Sequence, residues 1–170
     1  MIKKLFFAAM LALPMCLSAQ SLKFGTVNTG EVFNVMPEKA TAEATLKAAS
    51  DKYEAEFKRL QEDFQKDYND FEKIKGDAST PAAIKERHEK DLQDKYQKIQ
   101  NFQQTAAQDL QKQQETLIGP IQAKLQQAIQ AVGAENGFTY IFDLSIPSII
   151  YHGNGNQDVT PLVKAKLGIK

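Results

Sequence analysis

The chain has 170 residues, carries 21 basic and 21 acidic side chains, and is 42% hydrophobic. Zero net charge gives no broad cationic surface of the kind nucleic acid requires. A single cysteine rules out a disulfide framework, and the absence of tryptophan leaves a modest aromatic core.

Residues 1–19 read as a cleaved signal peptide. Lys3 and Lys4 form a basic start, Leu5 to Leu13 is an apolar run, and Leu17-Ser18-Ala19 ends in a small residue. The run is too short to span a bilayer core, which takes about 20 residues. An uncleaved anchor and lipid attachment at Cys16 are the alternatives, although Pro14 and Met15 give Cys16 a poor context for lipidation. Removal of this segment costs two lysines, so the exported chain carries a net charge of −2 and no cysteine. Burial alone must then hold it.

Leu22 to Asn28 alternates apolar and polar residues and predicts a strand. Asn28 or Thr29 is placed to cap a short helical turn through Val32, Phe33 and Met36, which Pro37 breaks. Two long helical arms follow, over 39–75 and 81–117, separated by Gly76-Asp77-Ala78-Ser79-Thr80. Each would be roughly 55 Å long at 1.5 Å per residue. In the first arm, apolar residues from Leu46 to Ile74 recur at steps of three and four, the coiled-coil period. The second arm continues the stripe from Ile84 through Ile99 to Leu117, with Thr80 as its expected cap and Pro81 at its first position. Glu54/Lys58 and Glu62/Lys66 have the spacing of helical ion pairs. Thirteen glutamines lie between Gln93 and Gln130. Gly119-Pro120 is expected to interrupt the helix and act as a hinge before it resumes through Ile121 and Leu125.

Asn136-Gly137 supplies a left-handed helix stop. Phe138 to Leu144 and Ser148 to His152 predict two further strands, joined by a turn at Ser145-Ile146-Pro147. Thr160-Pro161 opens a last short helix, which Gly168 ends. The expected class is α+β. A long antiparallel coiled-coil hairpin, residues 38–120, would project from a small β-rich base made of 20–37 and 121–170. Three strands cannot close a barrel, and bare sheet edges favour sharing the sheet between copies. An obligate oligomer is the expectation.

This order of elements resembles the Skp/OmpH family of periplasmic chaperones. The segments that carry the likeness are Phe24-Gly25-Thr26-Val27-Asn28-Thr29-Gly30-Glu31-Val32-Phe33, Gly137-Phe138-Thr139-Tyr140-Ile141-Phe142-Asp143 and Asp158-Val159-Thr160. The resemblance implies a periplasmic homotrimer with a shared central β-barrel, whose core would take Phe24, Val27, Tyr140, Phe142, Ile149 and Tyr151. It also implies three hairpins that hold unfolded outer-membrane proteins after export and prevent their aggregation without ATP. Well-known members of the family are strongly basic. The pI of about 6.7 departs from that and counts against direct lipid or lipopolysaccharide binding.

No cofactor, metal or catalytic constellation stands out, and no enzyme activity is expected. His88 lies on the apolar stripe without a second ligand in helical reach, and His152 has no partner in sequence. Asp143 is a lone acid, and Gly153-Asn154-Gly155-Asn156 lacks the Lys-Ser/Thr of a phosphate loop. Tyr53, Phe57, Phe64, Tyr68, Phe71, Tyr96 and Phe102 form the aromatic stripe of the arms. They serve either as seam between the two helices or as a surface for clients. The competing function is a coiled-coil scaffold bridging two cell-envelope partners, which would favour a parallel rod.

Overall fold

The structure, a computed structural model, describes residues 22–169. The signal-peptide reading of 1–19, Cys16 included, lies outside the described residues. The elements run β1 (Phe24–Val27), α1 (Thr29–Val35), α2 (Pro37–Lys75), α3 (Ala82–Glu135), β2 (Tyr140–Asp143), β3 (Gln157–Asp158) and α4 (Thr160–Lys166). The chain is mostly helical, with two long helices and a small sheet.

β1 is the middle strand, with β2 on one side and β3 on the other, both parallel to it. Phe24 pairs with Tyr140, and Val27 with Asp143. Backbone bonds of 2.8 Å from Thr139 to Lys23, from Leu144 to Val27 and from Val159 to Thr26 tie the three strands together. The predicted strand over Ser148 to His152 is not a strand; its place beside β1 is taken by Gln157–Asp158. Its β-branched and aromatic composition reads as strand, yet Ile150 and Tyr151 are 97% and 86% exposed and join no strand among the described residues. Val159, directly after β3, is fully buried and anchors the segment that displaces it.

Local chemistry sets the helix ends. Asn28 caps α1 by accepting from the Glu31 N–H at 2.9 Å. Met36 is held extended by the proline that follows it, so α1 stops and Pro37 opens α2 where its missing N–H costs nothing. Gly137 takes the left-handed conformation that stops α3, at φ 67°. Thr160 does not cap α4. It is the helix's first residue, its hydroxyl accepts from the Asn28 N–H, and Asp158 accepts from its own N–H at 2.9 Å.

One face of the sheet is covered. Val27, Val32, Met36, Val132, Val159 and Val163 form a core with Ala42, Ile121, Leu125 and Ala128, so both long helices contribute to the base. Gly25 sits where that core is tightest. A Cβ there would meet the Phe138 ring at 3.1 Å and the Val159 methyl at 3.2 Å. Gly25→Ala is expected to lose about 1 kcal/mol, because crowding in a close-packed interior outweighs the entropy gained by losing a glycine. Urea unfolding followed by circular dichroism would measure it, and an unchanged midpoint would contradict it.

α2 and α3 lie side by side, and their contacts run in opposite order along the two helices. Lys124 pairs with Glu38 at the base, Tyr53 meets Phe102 and Asp109 in the middle, and Lys95 pairs with Asp67 towards the far end. At 54 residues, α3 is about 80 Å long. It is continuous through Gly119-Pro120, which corrects the expected interruption. Pro120 gives up one backbone bond, but Leu117, Ile121 and Leu125 on either side of it join the base core and hold the helix through.

The turn between the helices is built on Asp77. Its carboxylate accepts from the Ser79 N–H, the Ser79 hydroxyl and the Thr80 hydroxyl at 2.7–2.8 Å. Thr80 is thus spent on the turn, and Pro81 precedes α3 without a side-chain cap, contrary to the sequence expectation. Lys85 reaches back to the carbonyls of Lys75 and Asp77, placing a cation at the negative end of α2. The ion pairs on α2 also differ from those expected. Lys58 pairs with Glu62, and Arg59 is shared between Glu56 and Asp63. These exposed pairs contribute little to stability.

Candidate functional site

Two surfaces leave apolar side chains uncovered. The first is the outer face of the sheet. Because alternate residues of a strand share a face, Phe24, Tyr140 and Phe142 stand together away from the core. Their rings stack with centroids 6.1–6.2 Å apart and tilts of 13–30°. Tyr140 is 59% exposed and Phe142 37%. Of the other residues assigned to a shared core, Tyr151 is exposed and Ile149 half-buried in the irregular segment after β2. Val27 is different: it is buried on the opposite face, inside its own chain, and is not available to a partner.

The second surface is the seam between α2 and α3. Beyond the base, Leu60, Phe71, Ile99 and Ala106 are the buried apolar residues of the arms. Tyr53, Phe57, Phe64 and Phe102 are half-buried, while Tyr68 and Tyr96 are exposed. The rings make tilted contacts across the seam, Tyr53 with Phe102 at 6.0 Å and Phe64 with Tyr96 at 6.3 Å. A two-helix layer has too little depth to cover stripes this wide, so grooves run along its flanks. One of about 760 Å³ is floored by Phe57, Phe64, Tyr96 and Ile99.

Polar groups fix the register of the two helices. The Tyr53 hydroxyl donates to Asp109 at 2.6 Å, and Gln113 donates to the same carboxylate. The Tyr53 hydrogen bond, with that of Gln113, holds the Asp109 pKa below the ordinary aspartate value, and the same contact raises that of Tyr53. His88 is half-buried beside the seam, as its place on the stripe suggested. Ile99→Ala is expected to loosen the arms without unfolding the base, at about 1–2 kcal/mol, the low end for a buried aliphatic truncation because the seam is open. Hydrogen exchange would register it as lost protection confined to α2 and α3 beyond the base; uniform loss would refute the prediction.

Sequence reasoning passed over one cluster at the sheet end. Asp143 accepts from the Thr29 N–H and hydroxyl and from the Ser145 N–H and hydroxyl, at 2.5–3.2 Å. It locks the end of β2 to the start of α1. The signal was present as an acid at a strand end, but its partner lies 114 residues away.

Together these features define a protein built around a long two-helix arm on a small α/β base, with apolar surface left open on both. The chain belongs to the OmpH-like outer membrane protein family, whose profile, described as Outer membrane protein (OmpH-like), matches residues 23–167. Chaperone protein Skp of Photorhabdus laumondii is 26% identical over 169 residues, spanning 95% of this chain and 98% of that protein. A crystal structure of an OmpH-like protein from Caulobacter crescentus superposes with a TM-score of 0.71. It is 16% identical and covers 86% of this chain and 83% of its own. At that identity the likeness is one of fold.

Proposed function

We propose that this protein is an ATP-independent holdase chaperone of the periplasm that binds unfolded outer-membrane proteins after export and keeps them from aggregating. The signal peptide over 1–19 would be removed. Segments 20–37 and 121–170 would form the base, shared by three copies as a β-barrel core, and 38–120 would be the antiparallel hairpin arm. Its carrying observation is unfinished burial: most of the aromatic stripe on the arms stays half-exposed, although two long helices are spent on it. An unfolded membrane barrel exposes apolar segments that aggregate. Three arms give many weak contacts, and each contact raises the effective concentration for the next. Release then needs only a partner that binds the client better.

The opposite order of helix contacts supports this reading over a parallel scaffold rod. Mature protein mixed at equimolar trimer with a urea-unfolded outer-membrane barrel should suppress the light scattering that follows dilution. Scattering as strong as without the protein would end the proposal.

A further inference from the structure

Six of the thirteen glutamines of α3 line up along the helix. Gln97, Gln100, Gln104, Gln108, Gln111 and Gln122 recur at multiples of three or four residues and therefore share one flank. All six are exposed. Asp94, Lys98, Asp109 and Lys112 of the same stretch fall on the other flank. Glu115 is the charged residue on the glutamine side, and Gln111 donates to it at 3.2 Å.

The two glutamines of α2, Gln61 and Gln65, lie on this same side, where they line the 760 Å³ groove with Gln100 and Gln103. The floor of that groove is aromatic. The charges at its edge, Lys58 and Glu62, neutralise each other at 3.8 Å. Among the described residues, the amides of Gln61, Gln100, Gln103 and Gln104 make no hydrogen bond to another group of the chain, whereas Gln65 and Gln97 bond only to the neighbouring Asn69 and Asn101. One flank of the arm is thus an apolar floor rimmed with unspent, uncharged amides.

We propose that this flank binds the backbone of an extended polypeptide segment with alternating apolar side chains, an inference that rests on the holdase reading above. The occupant follows from complementarity. An unpaired strand presents N–H and C=O groups in alternation, and its backbone carries no charge. A glutamine amide both donates and accepts, so it satisfies either group, whereas lysine only donates and a carboxylate only accepts. Lane amides three or four residues apart repeat every ~5–6 Å along the helix, close to the ~6.6 Å between alternate residues of a strand. The aromatic floor takes the apolar side chains that point away from the rim. Recognition of this kind ignores client sequence.

The test uses the mature protein and two dye-labelled short peptides of alternating Val and Thr, one with N-methyl groups on alternate backbone nitrogens. Fluorescence anisotropy should give binding to the plain peptide and about tenfold weaker binding to the methylated one. The quadruple variant Gln61→Ala, Gln100→Ala, Gln103→Ala and Gln104→Ala should lose the preference between peptides and bind the plain one about tenfold less well. Alanine is the better helix former, so unchanged helicity by circular dichroism is expected. A control variant on the other flank, Lys98→Ala with Thr105→Ala and Lys112→Ala, should bind as wild type does. Equal affinity for the two peptides, or a lane variant that binds normally, would overturn the backbone lane while leaving the holdase reading intact. Failure of wild-type protein to suppress barrel aggregation in the scattering assay would instead remove the reading beneath it.

Discussion

Mature protein carrying Tyr140→Asp should weigh as a single chain by native mass measurement at micromolar concentration, where the wild type should weigh as three. Within one chain Tyr140 is 59% exposed, so its replacement leaves the chain's own core untouched and costs the monomer mainly its stacking on Phe24 and Phe142, about 1 kcal/mol. The cost falls on the assembly. An aromatic ring that finishes its burial between copies removes up to ~150 Å² of apolar area from water, worth a few kcal/mol at ~25 cal/mol/Å². In the proposed trimer, three-fold symmetry would repeat that loss in every chain and bring three aspartates together without counter-charges, which a dry interface does not tolerate. The weakening should exceed a thousandfold, about 4 kcal/mol. Far-ultraviolet circular dichroism should show the helices retained. A variant that still assembles as three would show that the stacked face of Phe24, Tyr140 and Phe142 is not where the copies meet.

That face also shows what was readable in the residues. The alternation Leu22 to Asn28 names β1, whereas Tyr140 and Phe142 enter a shared core only through the family resemblance, since their strand is apolar on both faces. Helical spacing, Pro37, Pro81 and Gly137 placed the long helices to within two residues at the ends they mark. These are local signals, with cause and effect within a few residues of each other. Misreadings came where a distant partner decides. Ser148 to His152 has strand composition, yet β1 accepts Gln157–Asp158 instead, a choice made by Val159 finding the core. Val27 alternates correctly, but only the fold shows that its side points inward. Pro120 carries a local helix-breaking signal that packing against the base overrides. The glutamine run was legible as composition. Its pairing with Gln61 and Gln65 across a groove was not, because it depends on the register between two helices, which Tyr53 and Asp109 help to set.

The second large effect is expected at Asp143, which ties the end of β2 to the start of α1 across 114 residues of sequence. Asp143→Ala should destabilise the base by about 2–3 kcal/mol, since two backbone donors and two hydroxyls lose their acceptor and one of them, the Thr29 N–H, opens α1. The figure is held to the low side because Asp143 is half-buried and water replaces part of what is lost. The contact also makes stability depend on acid. Burial pushes the Asp143 pKa up, but the hydrogen bonds from Thr29 and Ser145 outweigh burial and leave it below the ordinary aspartate value. A carboxyl whose pKa is lower folded than unfolded stabilises the fold above its unfolded pKa of about 3.9, and that contribution is lost as pH falls through the folded value. Wild-type stability should therefore decline below about pH 4. Asp143→Asn keeps an acceptor for the two backbone donors but cannot titrate, so its urea midpoint should fall less steeply over the same range. Parallel pH profiles for wild type and Asp143→Asn would show that the acid dependence arises elsewhere and that Asp143 is not the charged tie between β2 and α1.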